Sequence, residues 1–201
     1  MTLDFVDTAH IAITGHSRGG KAVLLAGATD ERIAYTYPNG SGTHGAGPYR
    51  FIQCEEEDAG FEDTRSEPLD FLFRHVPHWM GEDMRAYIGK EETLPHDSHF
   101  LKALIAPRYY LETNGYADIW ANPRGSYLSL LAAREVFRLL GAEGRCLAFT
   151  HEGGHRHTPA DFSAILDMME AAIGNTPLPE ALTRAPYDDM EPLHDWKTPT
   201  A

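Results

Sequence analysis

The chain has 201 residues, 42% of them hydrophobic, and a formal net charge of −13 from 30 acidic and 17 basic side chains. That length suits one domain with a sizeable core. The acidic balance excludes nucleic acid or an anionic membrane as the main partner, because phosphate binding needs clustered Lys and Arg. Cys54 and Cys146 stand far apart and in no metal-ligand spacing, so they indicate neither a zinc site nor a disulfide framework. No apolar run approaches the length of a membrane helix, and the N-terminus lacks the basic and apolar regions of a secretory signal.

In chain order, the apolar run Ile11-Ala12-Ile13-Thr14 predicts a strand and residues 22–26 predict a helix. Between them stands Gly15-His16-Ser17-Arg18-Gly19-Gly20-Lys21. A serine centred in G-x-S-x-G, between strand and helix, is a nucleophile elbow: small residues two before and two after it let the backbone turn sharply and expose the hydroxyl. A second strand is expected at 33–37, closed by Pro38-Asn39-Gly40. A long irregular region, 41–68, follows, and its acidic runs Glu55-Glu56-Glu57-Asp58 and Glu62-Asp63 read as a solvated loop rather than a metal site. Helical patterns around 69–75, 83–88 and 96–103 are interrupted by Pro77 and Pro95.

A third strand is predicted at 109–113, then a helix over 123–140 whose buried side is marked by Leu128, Leu131, Val136, Leu139 and Leu140 and which stops near Gly141. A fourth strand, 146–150, leads into Glu152-Gly153-Gly154-His155, and a last helix spans 159–173 with Pro159 in its first turn. Strands alternating with helices mean a parallel sheet covered on both faces. Prolines at 177, 179, 186, 192 and 199 argue against a continuous element at the end, so residues 1–174 are read as the α/β domain and 175–201 as a Pro-rich tail.

A serine hydroxyl is a poor nucleophile at neutral pH and needs a base, with a third group holding that base in the right tautomer. Hydrolases with this elbow place the acid and then the histidine after later strands. Asp118, after the third strand, and His155, after the fourth, meet that order with Ser17. Glu112 is the rival acid but lies within the strand; His151 and His157 rival His155. Residues 151–155 also spell H-E-G-G-H, a zinc-protease pattern that requires a helix. Gly153 and Gly154 in its middle, after a β-like run, oppose one. The oxyanion hole of this fold uses the N–H of the residue after the nucleophile, here Arg18, together with an N–H from an earlier loop that this chain does not contain; the Arg18 guanidinium is a candidate to take its place and otherwise reads as a surface ion-pair partner.

In the α/β-hydrolase fold the elbow follows the fifth strand, so a serine at position 17 marks the C-terminal portion of such a domain, N-terminal strands missing. The nucleophile strand is then expected to keep one edge unpaired.

Several co-linear motifs resemble the glucuronoyl methylesterases, carbohydrate esterase family 15. These are G-H-S-R-x-G-K at 15–21, N-x-S-G at 39–42, Pro77-His78-Trp79, L-x-A-L-I-A-P-R at 101–108, D-x-W-A-x-P-x-G at 118–125, and G-G-H followed by T-P-x-D at 153–161. The resemblance implies Ser17 as nucleophile, His155 as base, Asp118 as acid and Arg18 as oxyanion side chain. It also implies that Lys21 binds hydroxyls of a uronate sugar and that Trp120 lines the sugar subsite; Lys21 otherwise reads as a solvated lysine and Trp120 as a core aromatic. Some members carry the acid directly before the S-G of the second motif, where this chain has Gly40. A sugar-binding glutamate of the family corresponds to one of Glu55, Glu56 or Glu57.

The expectation is a serine esterase acting on an ester of (4-O-methyl)glucuronic acid, with no metal and no organic cofactor, and an ester substrate as its partner. A general carboxylesterase or peptidase of the same fold, or a non-catalytic fragment, is the alternative. The resemblance implies a secreted or periplasmic setting, and oligomeric state is left open.

Overall fold

The computed structural model describes residues 3–54, 65–190, 193–194 and 197–199. Among them, β1 (Ala12–His16), β2 (Tyr35–Asn39), β3 (Tyr109–Gly115) and β4 (Cys146–His151) form one sheet in sequence order, every pair parallel. Parallel neighbours need a crossover between them. Here α1 (Arg18–Thr29), the long region after β2 with α2 (Leu69–His75) and α3 (Ser98–Ala103), and α4 (Pro123–Leu139) provide the three crossovers. After β4 come α5 (Pro159–Gly174) and the short α6 (Glu180–Thr183), which lies in the stretch read as a tail.

Adjacent strand residues point to opposite faces, and the core divides accordingly. Tyr110 of β3 and Cys146 of β4 pack with Leu24 of α1 and with Leu130 and Phe137 of α4. Leu111 and Leu147, one residue on, pack with Ile165 and Met168 of α5 and Leu182 of α6. A third cluster, Tyr49, Leu69, Phe73 and Leu94, gives the long region after β2 a small core of its own.

Three expectations need correction. β2 does not close at Pro38 but runs through it to Asn39; the ladder to β3 simply skips Tyr37 and Pro38, where proline has no N–H to donate. On α4 the buried stripe runs through Leu128, Leu130, Ala133 and Phe137, whereas Leu139 and Leu140 are exposed at its C-terminal end, where the chain turns away at Gly141. In the elbow, the close contacts fall on Gly15 and Gly20 rather than on Gly15 and Gly19. A Cβ on Gly15 would lie 2.6 Å from Gly19 O and one on Gly20 2.9 Å from Ser41 Cβ, but one on Gly19 would meet nothing. The helix begins at Arg18, so it is the third residue after Ser17 that turns in toward the loop after β2.

The rival acid Glu112 is committed elsewhere. Its Oε2 accepts from Lys102 Nζ at 2.6 Å and from Tyr110 OH at 2.7 Å, and Lys102 donates further to Ser126 O and Ser129 Oγ, all beneath α3 and α4. Burial pushes the Glu112 carboxyl up and the Lys102 ammonium down, and their mutual attraction opposes both. Removing one partner strands a buried charge. Lys102→Met is therefore expected to cost about 3–5 kcal/mol, measured as a lower urea midpoint with an unchanged m-value.

β1 is hydrogen-bonded on one side only among the described residues. Ala12 and Thr14, which lie beside Tyr35 and Tyr37 in register, are exposed, and α5 on that face leaves Phe162, Leu166 and Ile173 exposed as well. Open apolar strand edges recruit other strands. The 201-residue chain is expected to self-associate in light scattering at micromolar concentration, and a clean monomer would refute that expectation.

Candidate active site

Every strand of a parallel sheet ends at the same edge, and the loops leaving that edge meet there. Ser17, directly after β1, holds φ 55° and ψ −120°, a backbone region disfavoured for a residue with a Cβ. Its amide donates to Asn39 O at 2.9 Å and its carbonyl accepts from Lys21 N at 3.2 Å, so the strained turn is tied to β2 and to α1.

The loops after β3 and β4 are bonded to each other. Tyr116 N donates to His151 O and Ala117 N to Gly153 O, each at 2.9 Å. That brings Asp118 to His155: Nδ1 of the imidazole donates to Asp118 Oδ2 at 2.8 Å. Asp118 is buried, and its other oxygen accepts from Ala121 N at 3.3 Å, capping the turn Ile119–Ala121. With Nδ1 engaged, Nε2 of His155 carries the lone pair that accepts a proton. The ring of His16, the residue before Ser17, lies 4.4 Å from that of His155. Serine elbow, imidazole and carboxylate are thus gathered at one place.

His151 ends β4, and residues 152–155 form bends rather than a helix. The two histidines of H-E-G-G-H therefore do not share a helix face. His151 Nε2 instead lies 3.3 Å from Asp161, whose carboxylate also closes a capping box with Thr158 at the start of α5. Among the described residues no cluster of three His, Cys, Asp or Glu side chains has metal-holding geometry.

Gly40 borders the Asp118–His155 hydrogen bond. A Cβ there would lie 3.2 Å from Asp118 Oδ2 and 3.4 Å from His155 Nδ1. Position 40 therefore lies within a side chain's reach of the same imidazole nitrogen.

Lys21, on the first turns of α1, donates to Glu67 Oε2 at 2.9 Å and to Thr43 O at 2.5 Å, and its ammonium stands 5.4 Å from the Trp79 ring centre. Lys21 and Glu67 side chains are each only 10% exposed. Burial pushes the Glu67 carboxyl up and the Lys21 ammonium down, with their attraction working the other way. Glu67 N also donates to Trp120 O at 3.2 Å, and Trp120 packs edge-on to Phe71. Lys21 and Trp120 are thereby joined through a glutamate that sequence reasoning overlooked. Glu55, Glu56 and Glu57 lie outside the described residues. A lone glutamate before Pro68 carries no sequence signal comparable to the acidic run. Arg18 is exposed and, with Lys21, Leu25, His44, Trp79 and Leu101, lines a cavity of about 270 Å³. A larger cavity of about 650 Å³, between α3 and α4, contains none of these site residues.

The parallel sheet, the strained serine after its edge strand and the Asp–His pair from the next loops define an α/β-hydrolase-type fold. A family model described as "Glucuronyl esterase, fungi" matches residues 2–141. The chain belongs to the glucuronyl esterase family. It is 37% identical over 139 residues to a carbohydrate esterase from an unknown prokaryotic organism, covering 69% of this chain and 29% of that protein. It is 34% identical over 152 residues to 4-O-methyl-glucuronoyl methylesterase 1 of Phanerochaete chrysosporium, covering 76% of this chain and 31% of the relative. Among solved structures, a carbohydrate esterase family 15 glucuronoyl esterase from Caldicellulosiruptor kristjansonii superposes with a TM-score of 0.88 at 30% identity, over 98% of this chain and 52% of that one. The chain thus spans about half the length of that structure and about a third of the curated relatives.

The hydrogen bond to Asp118 holds His155 above the ordinary imidazole value of 6.5, burial opposing it. A base works when neutral, so kcat/KM is expected to rise with pH through a pKa above 6.5. In stability the sign is opposite: the contribution of protonated His155 is full below the unfolded value and is lost as pH rises through the folded one. Asp118→Asn is expected to move the acid limb of the pH–rate profile downward and to lower kcat by about 10⁴, whereas Glu112→Gln should leave that limb in place.

Proposed function

We propose that this chain carries the catalytic serine, acid and base of an esterase that hydrolyses an ester of 4-O-methylglucuronic acid, as found in glucuronoxylan and in lignin–carbohydrate linkages. The observation that carries the reading is the Asp118–His155 hydrogen bond beside the strained Ser17, in a chain of the glucuronyl esterase family.

Ser17 Oγ attacks the ester carbonyl while His155 Nε2 takes its proton, and the imidazolium is stabilised by Asp118. Negative charge on the carbonyl oxygen is met by the N–H of Arg18, the residue after the nucleophile, and by the Arg18 guanidinium. Collapse of the tetrahedral intermediate expels the alcohol, which receives the proton from His155. Water, deprotonated by His155, attacks the acyl-serine; its collapse releases the uronic acid and returns the proton to Ser17. Lys21 addresses sugar hydroxyls, with Glu67 holding it in place and offering a carboxylate acceptor to the same hydroxyls, and Trp120 provides an apolar wall.

Ser17→Ala is expected to abolish covalent labelling by a fluorophosphonate while circular dichroism stays unchanged; continued labelling would sink the assignment. Lys21→Met is expected to raise KM for a methyl glucuronate ester about tenfold, equivalent to about 1.4 kcal/mol, with little change on p-nitrophenyl acetate. Equal loss on both esters would point to a general carboxylesterase.

A further inference from the structure

We propose that His16 is a positioning residue for the general base, clamping one face of the His155 imidazole from the strand that carries the nucleophile. The inference rests on the esterase reading and adds to it a residue outside the serine, acid and base.

The clamp is assembled across three strands. His16 and Asn39, the last residues of β1 and β2, stand in one row with Thr113 of β3, because the parallel register pairs His16 with Asn39 and Asn39 with Thr113. Asn39 is buried and spends its amide N–H groups on Thr113, donating to Oγ1 at 2.7 Å and to the backbone O at 3.2 Å. Its Oδ1 is therefore the acceptor facing His16, 2.5 Å from His16 Nδ1. The direction of that bond follows: Nδ1 of His16 carries a hydrogen and donates it, which fixes both the tautomer and the ring plane.

So held, the His16 ring lies 4.4 Å from the His155 ring with planes tilted at 43°. His157 approaches the same ring of His16 at 6.1 Å and itself stacks on Phe162 at 4.2 Å. His155 needs such support. Its side chain is 39% exposed, and the hydrogen bond to Asp118 ties down one ring nitrogen but leaves the ring free to pivot about that bond. A ring packed against it blocks the pivot and holds Nε2 in one direction. Because His16 precedes Ser17 directly, a shift of the elbow moves the clamp and the nucleophile together, so their relative geometry is preserved.

The test uses the 201-residue chain and its His16→Ala, His16→Phe and His16→Leu variants. Three quantities are read: the rate of fluorophosphonate labelling at Ser17, kcat and KM on a p-nitrophenyl ester, and the low-field proton resonance of the His155–Asp118 hydrogen bond. His16→Ala is expected to lower kcat and the labelling rate by about 10- to 100-fold, the scale of a slightly misplaced catalytic group, with KM unchanged and the resonance broadened. His16→Phe restores a flat face without the Asn39 bond and is expected to recover most of the loss. Wild-type rates in His16→Ala, a change confined to KM, or His16→Phe as slow as His16→Ala would each overturn the proposal. Should His16→Ala fail to fold, His16→Leu, which keeps side-chain bulk without a flat ring, gives the same reading: slower labelling supports the clamp and wild-type labelling overturns it. A wild-type chain that neither labels nor turns over any ester would overturn the esterase reading itself, and the clamp with it.

Discussion

The constraint on which the rest depends is that all the strand pairs in the described sheet are parallel. A parallel sheet sends each chain segment out through the same edge, so residues separated by more than a hundred positions leave their strands as neighbours. The loops after β3 and β4 are then close enough to exchange backbone hydrogen bonds, and those bonds bring Asp118 to His155. The same register lays His16, Asn39 and Thr113 in a row beneath the imidazole. The strain at Ser17 is held from two sides, by Asn39 O and by the first turn of α1.

Two buried lysine–glutamate pairs show how one chemistry is put to different uses. Lys102 and Glu112 are fully enclosed; Lys102 also donates to Ser126 and Ser129 and Glu112 Oε2 accepts from Tyr110, while Glu112 Oε1 is buried without a partner among the described residues. That pair knits α3 and α4 to the sheet and faces no cavity among those described near the serine. Lys21 lines the cavity beside the elbow and pairs with Glu67, each side chain keeping a small exposed fraction. Ions in that setting have already lost most of their water, so a polyol that offers hydroxyl groups replaces little hydration and gains charge-assisted hydrogen bonds. The linkage of Ser129 Oγ to Ala46 O also ties the core pair to the loop that carries Thr43, the carbonyl partner of Lys21.

The open edge of β1 adds a further physical consequence. β2 and β3 are buried along nearly their whole length, whereas β1 alternates between exposed and half-buried. The elbow is therefore supported from the β2 side and from α1, and the described residues leave the other side of its strand accessible. Exposed apolar side chains of α5, Phe162, Leu166 and Ile173, lie on the face of the sheet to which Tyr35 and Tyr37 contribute.

How much was legible follows from the range of the interactions involved. The elbow and the alternation of strands with helices are local patterns written in contiguous residues, and for that reason the sharp turn at Ser17 and the strand exits that carry Asp118 and His155 could be read from the sequence. The glycine chemistry around them also argued correctly against a metal-binding helix at 151–155, because a strand exit and two glycines are local facts. By contrast, that Asp118 and not Glu112 meets His155 follows from the fold, which ties Glu112 to Lys102 of α3 and joins the loops after β3 and β4, and the exposure of Leu139 and Leu140 follows from where α4 ends over the sheet. Glu67 as the partner of Lys21, Gly20 rather than Gly19 at the tight contact, and His16 against His155 all depend on pairs separated along the chain and joined only by the sheet register. Sequence by itself determined which chemical groups were available and in what order along the chain. Only the tertiary structure decided which of them meet, because a hydrogen bond across two or three ångströms is set by strand pairing and loop path rather than by spacing in the chain.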